Sequence, residues 1–270
     1  KSHVQLVHCT LTGNRTDSGN GGSSSWIGAI STAGSGDASV TLTNCIIAGP
    51  IHGASSFGGL SLSNQTEGTY LAKLDSSGTP LWIRGDAHIG TALMADIAQN
   101  ILTAGVFSNS LQFGPTVLSN DAPGTVYVAK YNSWGEPVWA RQLAGLGNDR
   151  VTAITSDVQS NCWVTGSFRT PDGTDERGFV ACFDASGQLL GVTKAGGSAG
   201  SLFTDMGNAG WLNNYVCGNF STNFSFGGTT LTNNGNQDIF IGCLNLVPPP
   251  LASTVTSNSL VLSWPVTNAG

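Results

Sequence analysis

The sequence predicts an all-β fold assembled from repeated four-stranded units, and three observations carry that reading. A strand–turn–strand stretch, TVYVAKYNSWGEPVWARQL (Thr125–Leu143), is closely copied as TYLAKLDSSGTPLWIR (Thr69–Arg84) and more loosely as GFVACFDASGQLLGVT (Gly178–Thr193). No window of the 270 residues sustains a 3.6-residue apolar period with end caps, so helices should be rare. The composition pairs 40% apolar residues with only 10% charged ones and 37 glycines, which lies outside the high-charge, low-hydrophobicity signature of disorder.

Residues 1–54 carry a shorter pattern of their own. VQLVHCTLTG (Val4–Gly13) is echoed by VTLTNCIIAG (Val40–Gly49), aligning Cys9 with Cys45 at an offset of 36 residues. A Gly/Ser-rich span with Trp26, Ile27 and Ile30 lies between them. An apolar strand, a polar turn and a return to the same strand describe one coil of a parallel β-solenoid. Like residues would then lie over like at the strand spacing of about 4.8 Å, making the two cysteines neighbours. An irregular β segment is the plainer alternative. The piece resembles the Cys- and Asn-bearing β-helix repeats of bacterial surface proteins and autotransporters, and that resemblance implies an N-terminal β-solenoid-like coil.

From residue 55 to residue 246 the main repeat takes over. An aromatic-glycine turn appears as Phe57-Gly58-Gly59, Phe113-Gly114-Pro115 and Phe226-Gly227-Gly228, and an Asn follows seven residues after each Phe, at Asn64, Asn120 and Asn233. The core strand carries Tyr70, Tyr127, Phe179 and Phe240 in register, at steps of 57, 52 and 61 residues. A turn comes next, with Gly78, Gly135 and Gly187 each three residues after Asp75, Asn132 and Asp184, whose side chains can cap it. Then follows a strand bearing Trp82 or Trp139, replaced by Gly191 in the third copy. Hairpins run from Asp96 to Gly105, Asp157 to Gly166 and, with four residues more, Asp205 to Gly218. Between Phe168 and Arg177 a polar loop replaces the aromatic-glycine turn. Landmarks that survive such changes in the intervening lengths mark structural modules with variable loops.

Each unit holds four strand-like runs. In the third they are Val151–Ser156, Cys162–Phe168, Phe179–Phe183 and Leu189–Lys194. VYVAKY is apolar on nearly both faces, so both faces need cover. A four-stranded sheet of about 50 residues covered on both sides by its neighbours is a β-propeller blade; a sandwich would need about 100 residues per unit. DIFIGCLN (Asp238–Asn245), the Thr125–Leu143 stretch and the Asp…Asn…Gly hairpin resemble the repeat of secreted bacterial seven-bladed β-propeller proteins. Lys73, Lys130, Trp82 and Trp139 match that family's core, whereas Cys182 and Cys243 replace its Lys, and its acid survives only as Asp238. The resemblance implies a β-propeller-like array, and the half unit plus nearly three units make it a short ring or an arc.

Beyond Leu246, Pro248, Pro249 and Pro250 form a stiff linker. LASTVTSNSLVLSWP (Leu251–Pro265) then reads as two strands with Trp264 in a core, resembling the start of a fibronectin type III or immunoglobulin-like module. The domains expected are therefore 1–54, 55–246 and 247–270. With Lys1 in mid-strand and Gly270 in mid-domain, the chain is read as a fragment of a longer protein.

Net charge is −6 and no Lys/Arg run exists, so nucleic acid is a poor partner. No apolar run reaches the roughly 18 residues of a membrane-spanning helix. Cys9, Cys45, Cys162, Cys182, Cys217 and Cys243 show no metal spacing, nor do His3, His8, His52 and His88; buried thiols are the expectation, with disulfides open. Gly196-Gly197-Ser198-Ala199-Gly200 fits G-x-S-x-G, but every histidine precedes it and no helix pattern follows, so a Gly-rich loop is expected. Asp75–Trp82 is only similar to a sialidase-type Asp-box, and Arg84, Arg141 and Arg150 hold repeat or loop positions. Asp172, Asp175 and Glu176 suit either calcium or a solvated loop. Asp96, Asp157 and Asp205 recur with the units and read as caps. Asn14, Asn64, Asn219 and Asn223 sit in N-x-S/T sequons.

No catalytic, cofactor-binding or metal-binding residue is assigned, and no enzyme is expected. The expected function is a structural, adhesion or interaction scaffold within a bacterial exported or cell-surface protein, whose partners are other domains of the same protein and an extracellular glycan or protein. The alternative is a carbohydrate-binding module of a polysaccharide-degrading protein. Trp134 is its candidate ligand-binding residue, either stacking on sugar rings or packing between blades.

Overall fold

The computed structural model describes residues 2–7, 10–11, 38–43, 45–52, 55–57, 59–62, 67–85, 90–143, 149–170, 175–197, 200–208, 213–233, 236–244, 252–256 and 259–263. Among them the fold is all-β, with no helix. β1 (Ser2–Val7) and β2 (Thr10–Leu11) pair in parallel with β3 (Ala38–Thr43) and β4 (Ile46–His52) respectively, both at the offset of 36 that the sequence echo implies. Cys9, Trp26, Ile27 and Ile30 lie outside the described residues.

β4 also begins the first four-stranded sheet. After the hairpin of β5 (Ser55–Phe57) and β6 (Leu60–Leu62), β4 pairs antiparallel with β7 (Glu67–Leu74), which pairs with β8 (Pro80–Arg84), giving the order β2-β4-β7-β8. The second sheet is an antiparallel meander of β9 (Ala92–Ala95), β10 (Ile101–Phe113), β11 (Thr116–Tyr131) and β12 (Pro137–Leu143). The third is another, of β13 (Arg150–Ser156), β14 (Cys162–Arg169), β15 (Glu176–Phe183) and β16 (Leu189–Lys194), which matches the four runs expected there. Further on, β17 (Gly196–Gly197) leads to β18 (Leu202–Asn208), β19 (Asn214–Phe220), the hairpin of β20 (Phe224–Phe226) and β21 (Thr229–Leu231), and β22 (Asp238–Leu244). β18, β19 and β22 form the three-stranded fourth sheet, and β17, β20 and β21 a small sheet beside it. β23 (Ala252–Thr256) and β24 (Ser259–Ser263) make an antiparallel pair, the two strands expected there; the three prolines and Trp264 lie outside the described residues. Among the described residues no sheet closes on itself.

The sheets stack face to face, and strand alternation dictates how. Successive side chains of a strand point to opposite faces. In β11, Tyr127 and Ala129 pack back against Ile46, Ala48 and Leu71 of the first sheet, while Val126 and Val128 pack forward against Val164, Phe179 and Ala181 of the third. In β15, Phe179 and Phe183 face back and Val180 and Cys182 face forward, onto Phe203, Val216 and Phe240 of the fourth sheet. Each aromatic needs room at its own strand's neighbour. Gly105, Gly166 and Gly218 lie directly opposite Tyr127, Phe179 and Phe240. A Cβ on Gly166 would stand 1.9 Å from the Arg150 carbonyl oxygen and 3.0 Å from the Phe179 ring, and one on Gly218 only 2.0 Å from the Leu202 oxygen.

A second recurrent device stitches the outer strands. The glycine turns form as expected: Thr79, Glu136 and Gln188 donate their amides to Asp75, Asn132 and Asp184 Oδ1 at 2.8–3.0 Å. Gly78, Gly135 and Gly187 take φ of 77–84°. The tryptophan of one sheet lies on the turn of the next. Trp82 Nε1 donates to the Ser133 carbonyl at 3.1 Å, and Trp139 Nε1 to that of Ala185 at 3.1 Å. A Cβ on Gly135 or Gly187 would meet those rings at 2.9 and 2.6 Å. Gly191, at the tryptophan position of β16, carries no ring, and among the described residues a cavity of about 300 Å³ lined by Gly191, Cys182, Cys243 and Leu244 lies there.

The face of the fourth sheet that would continue the stack is uncovered. Ile239 and Ile241, counterparts of the fully buried Val126 and Val128, are 84% and 75% exposed, with Tyr215 and Cys243 alongside.

Candidate functional site

The residues that recur with the sheets are occupied by structure. Asp96, at the β9–β10 turn, accepts the Asn100 amide on Oδ1 (2.8 Å) and the Asn100 side chain on Oδ2 (3.0 Å), with Lys130 Nζ 3.0 Å from Oδ2. Both members of that ion pair are buried. In the third sheet Cys182 stands where Lys130 would be, and Trp163 stands at the position of Leu102. Trp163 Nε1 donates to Asp157 Oδ2 at 3.1 Å. The carboxylate thus keeps its donor though the lysine is gone, as a buried polar group requires. Asp205 departs from the expected turn position: it lies within β18, opposite Cys217, at the place that Ala153 holds opposite Thr165 in β13, a strand of the same seven-residue length.

Other sequence candidates are likewise placed. Asp175 pairs with Arg177 at 3.0 Å, and Glu176 Oε1 accepts the Ser167 hydroxyl at 2.6 Å; Asp172 is outside the described residues. No His/Cys/Asp/Glu cluster able to hold a metal occurs among the described residues. Gly196 and Gly197 form the short strand β17 rather than the expected loop; Ser198 and Ala199 are outside the described residues, as are Asn14, Asn64, His8 and His88. Cys162 and Cys182 lie opposite Phe183 and Trp163, hence on opposite faces of one sheet. Burial pushes the Cys162 thiol well up and, with the nearby Asp157 and Asp184 charges, the Cys182 thiol up to about 12. Neither is a nucleophile at neutral pH.

Trp134 breaks the repeat. The turns at Asp75 and Asp184 carry serine at the matching position, and Ser77 and Ser186 donate their hydroxyls to the turn aspartate at 2.6 and 2.7 Å. At Asn132 that serine is replaced by Trp134, which keeps the backbone bond (Trp134 N to Asn132 Oδ1, 2.9 Å) and leaves its side chain 71% exposed. Packing between sheets falls to Trp82 and Trp139 instead. A large exposed indole in place of a turn-stabilising hydroxyl is the kind of local departure from stability that marks a functional position.

Beside this turn, between the outer strands of the first two sheets, lies an open cleft of about 420 Å³ lined by Arg84, Gln112, Phe113, Tyr131, Glu136 and Pro137. Arg84 Nη2 pairs with Glu136 Oε1 and donates to the Trp134 carbonyl at 3.3 Å, so β8 holds the turn of the next sheet. Arg84 Nε is a buried donor with no hydrogen-bond partner among the described residues. Gln112 reaches the site because β10 and β11 run out into the long aromatic-glycine hairpin, and its Nε2 donates to the Gly114 carbonyl at 3.1 Å. Sequence reading reached Trp134 but not Arg84, Gln112 or Glu136. The stacking brings Arg84 to Glu136 across 52 residues of chain; the signal available was Glu136 itself, where the other turns have Thr79 and Gln188.

No known protein family and no curated protein matches the chain.

Proposed function

We propose that the chain is a non-catalytic interaction scaffold: a β-propeller-like arc of four-stranded blades within a larger bacterial exported or cell-surface protein. One observation carries this reading. Three successive interfaces are packed through equivalent strand positions, an aromatic facing back and aliphatics facing forward, and the fourth sheet presents that same forward face, through Ile239 and Ile241, uncovered to solvent. Exposed aliphatics in register with a buried interface mark a contact surface. The occupant that fits is a further sheet of the same kind, bearing an aromatic in the place of Tyr127, Phe179 and Phe240 and belonging to another part of the same protein. The test compares the double variant Ile239→Lys/Ile241→Lys in this chain and in a longer polypeptide that contains it. The thermal midpoint should fall only in the longer one; equal midpoints with and without the lysines in that protein would sink the reading.

A second reading, carbohydrate binding, is favoured by the exposed Trp134, which stands where its counterparts are serine. Retention of the chain on an immobilised polysaccharide tests it, and no retention on any polysaccharide would remove it.

A further inference from the structure

We propose that the cleft beside Trp134 is a binding site for a neutral, hydroxyl-rich glycan, with Trp134 as the stacking platform and Arg84, Gln112 and Glu136 as its polar anchors. This rests on the carbohydrate reading and specifies its site and ligand class.

The first argument is non-recurrence. A residue that serves the stack appears at every turn, as Asp75, Asn132, Asp184 and their glycines do. Trp134 and Glu136, beside this cleft, do not. Trp134 replaces the serine of Ser77 and Ser186, and Glu136 replaces Thr79 and Gln188. Arg84 has a counterpart in Arg141, but among the described residues Arg141 bonds within its own strand, to the Ala140 carbonyl at 2.9 Å. The arrangement of Arg84, Glu136 and an exposed indole therefore exists at one interface of the stack, as a ligand site does and a structural device does not.

The chemistry selects the ligand. Sugar hydroxyls both donate and accept. The cleft offers donors in the Arg84 guanidinium and in the Gln112 amide. It offers acceptors in the Glu136 carboxylate and the Gln112 carbonyl. Trp134, next in the chain to the lining residue Gly135, adds an exposed apolar face on which the C–H face of a pyranose can lie. Arg84 and Glu136 neutralise one another, and the chain carries a net charge of −6. Neither feature attracts a polyanion, so a uronic-acid or sulfated glycan is disfavoured. The volume of about 420 Å³ lies within the range of small-ligand sites, roughly 300–1,000 Å³, and the cleft is open along the rim, which suits a stretch of polymer.

Affinity electrophoresis and titration calorimetry with neutral polysaccharides (a soluble β-glucan, a xylan, a galactomannan) and acidic ones (polygalacturonate, alginate) test the inference. The informative variant is Trp134→Ser, because serine restores the hydroxyl that the sister turns use. Its thermal midpoint should equal or exceed that of the parent, while affinity for the retained neutral glycan falls roughly tenfold or more, as when an anchoring aromatic is removed. Glu136→Gln, which keeps the volume, should weaken the same glycan several-fold. Neutral-glycan binding unchanged by Trp134→Ser overturns the site and leaves the carbohydrate reading standing. Binding of acidic glycans alone overturns the ligand class. Retention of no glycan at all overturns both.

Discussion

Replacing Lys130 by cysteine tests how the interior tolerates its one described Lys–Asp pair. Lys130 Nζ lies 3.0 Å from Asp96 Oδ2, with the two side chains 6% and 0% exposed. Removing the cation leaves Asp96 Oδ2 with Asn100 alone in a dry interior. Breaking such a pair from one side costs about 3–5 kcal/mol, which is about two to three and a half orders of magnitude in the folding constant. The third sheet shows the remedy, because Cys182 there is accompanied by Trp163, whose indole donates to Asp157. Leu102→Trp alone overpacks a fully buried site and should cost about 1–3 kcal/mol. In Lys130→Cys/Leu102→Trp the new indole should take the lysine's place on Asp96, and the double variant should be more stable than the sum of the singles by about 1–3 kcal/mol. Urea unfolding followed by far-ultraviolet circular dichroism measures all four proteins. A Lys130→Cys penalty under about 1 kcal/mol, or plain additivity, would refute the reasoning.

Gly166→Ala should destabilise by about 3 kcal/mol through its clash with the Arg150 carbonyl, whereas Gly191→Ala, with open space around it, should be neutral or slightly stabilising; equal thermal midpoints for the two would contradict the packing described. Cys162 and Cys182 should stay unmodified by a maleimide at pH 8 until the protein is unfolded, and peptide mapping that finds either labelled in the native state would show that the stack opens there. The Asp75 carboxyl is held below its ordinary value by the Ser77 hydroxyl first and then the Thr79 amide. Its contribution to stability is therefore present above the ordinary carboxylate range and lost as pH falls through the depressed value. An NMR titration should find Asp75 among the most acidic carboxylates and find it moved upward by Ser77→Ala; an ordinary value in the parent would be the contrary result.

The strands and turns were legible in the sequence because they rest on local rules. The run VYVAKY, apolar on nearly both faces, Asx capping at Asp75, Asn132 and Asp184, and the turn glycines each act within a few residues, and all three recur in the structure. Asp205 is not a turn cap: its spacing to Gly218 is four residues longer than in the other hairpins, and in the register of the sheets it corresponds to Ala153 within the strand. The role of Gly105, Gly166 and Gly218 shows in the sequence only as recurrence, since their need for a missing Cβ comes from backbone far along the chain: the Arg150 and Leu202 carbonyls for Gly166 and Gly218, the Gly90 Cα for Gly105. Arg84 and Glu136 were out of reach, because they meet only after two sheets have stacked. Trp134 was found in the sequence, but whether its ring was buried or bare depended on which tryptophan filled the seam, and Trp82 and Trp139 fill it.

The division of faces, aromatic toward the preceding sheet and aliphatic toward the following one, gives the stack a head and a tail. A unit slotted in anywhere with the same sense meets a matching surface on both sides, and one slotted in backwards meets neither. Duplication of a whole unit therefore adds one surface of each sex and leaves the two ends as they were. A gene encoding such units can lengthen or shorten by whole multiples without redesigning its termini, while a duplication of half a unit is penalised at once. Selection on length is then a matter of counting, and individual seams such as the one holding Arg84 and Trp134 are left to diverge.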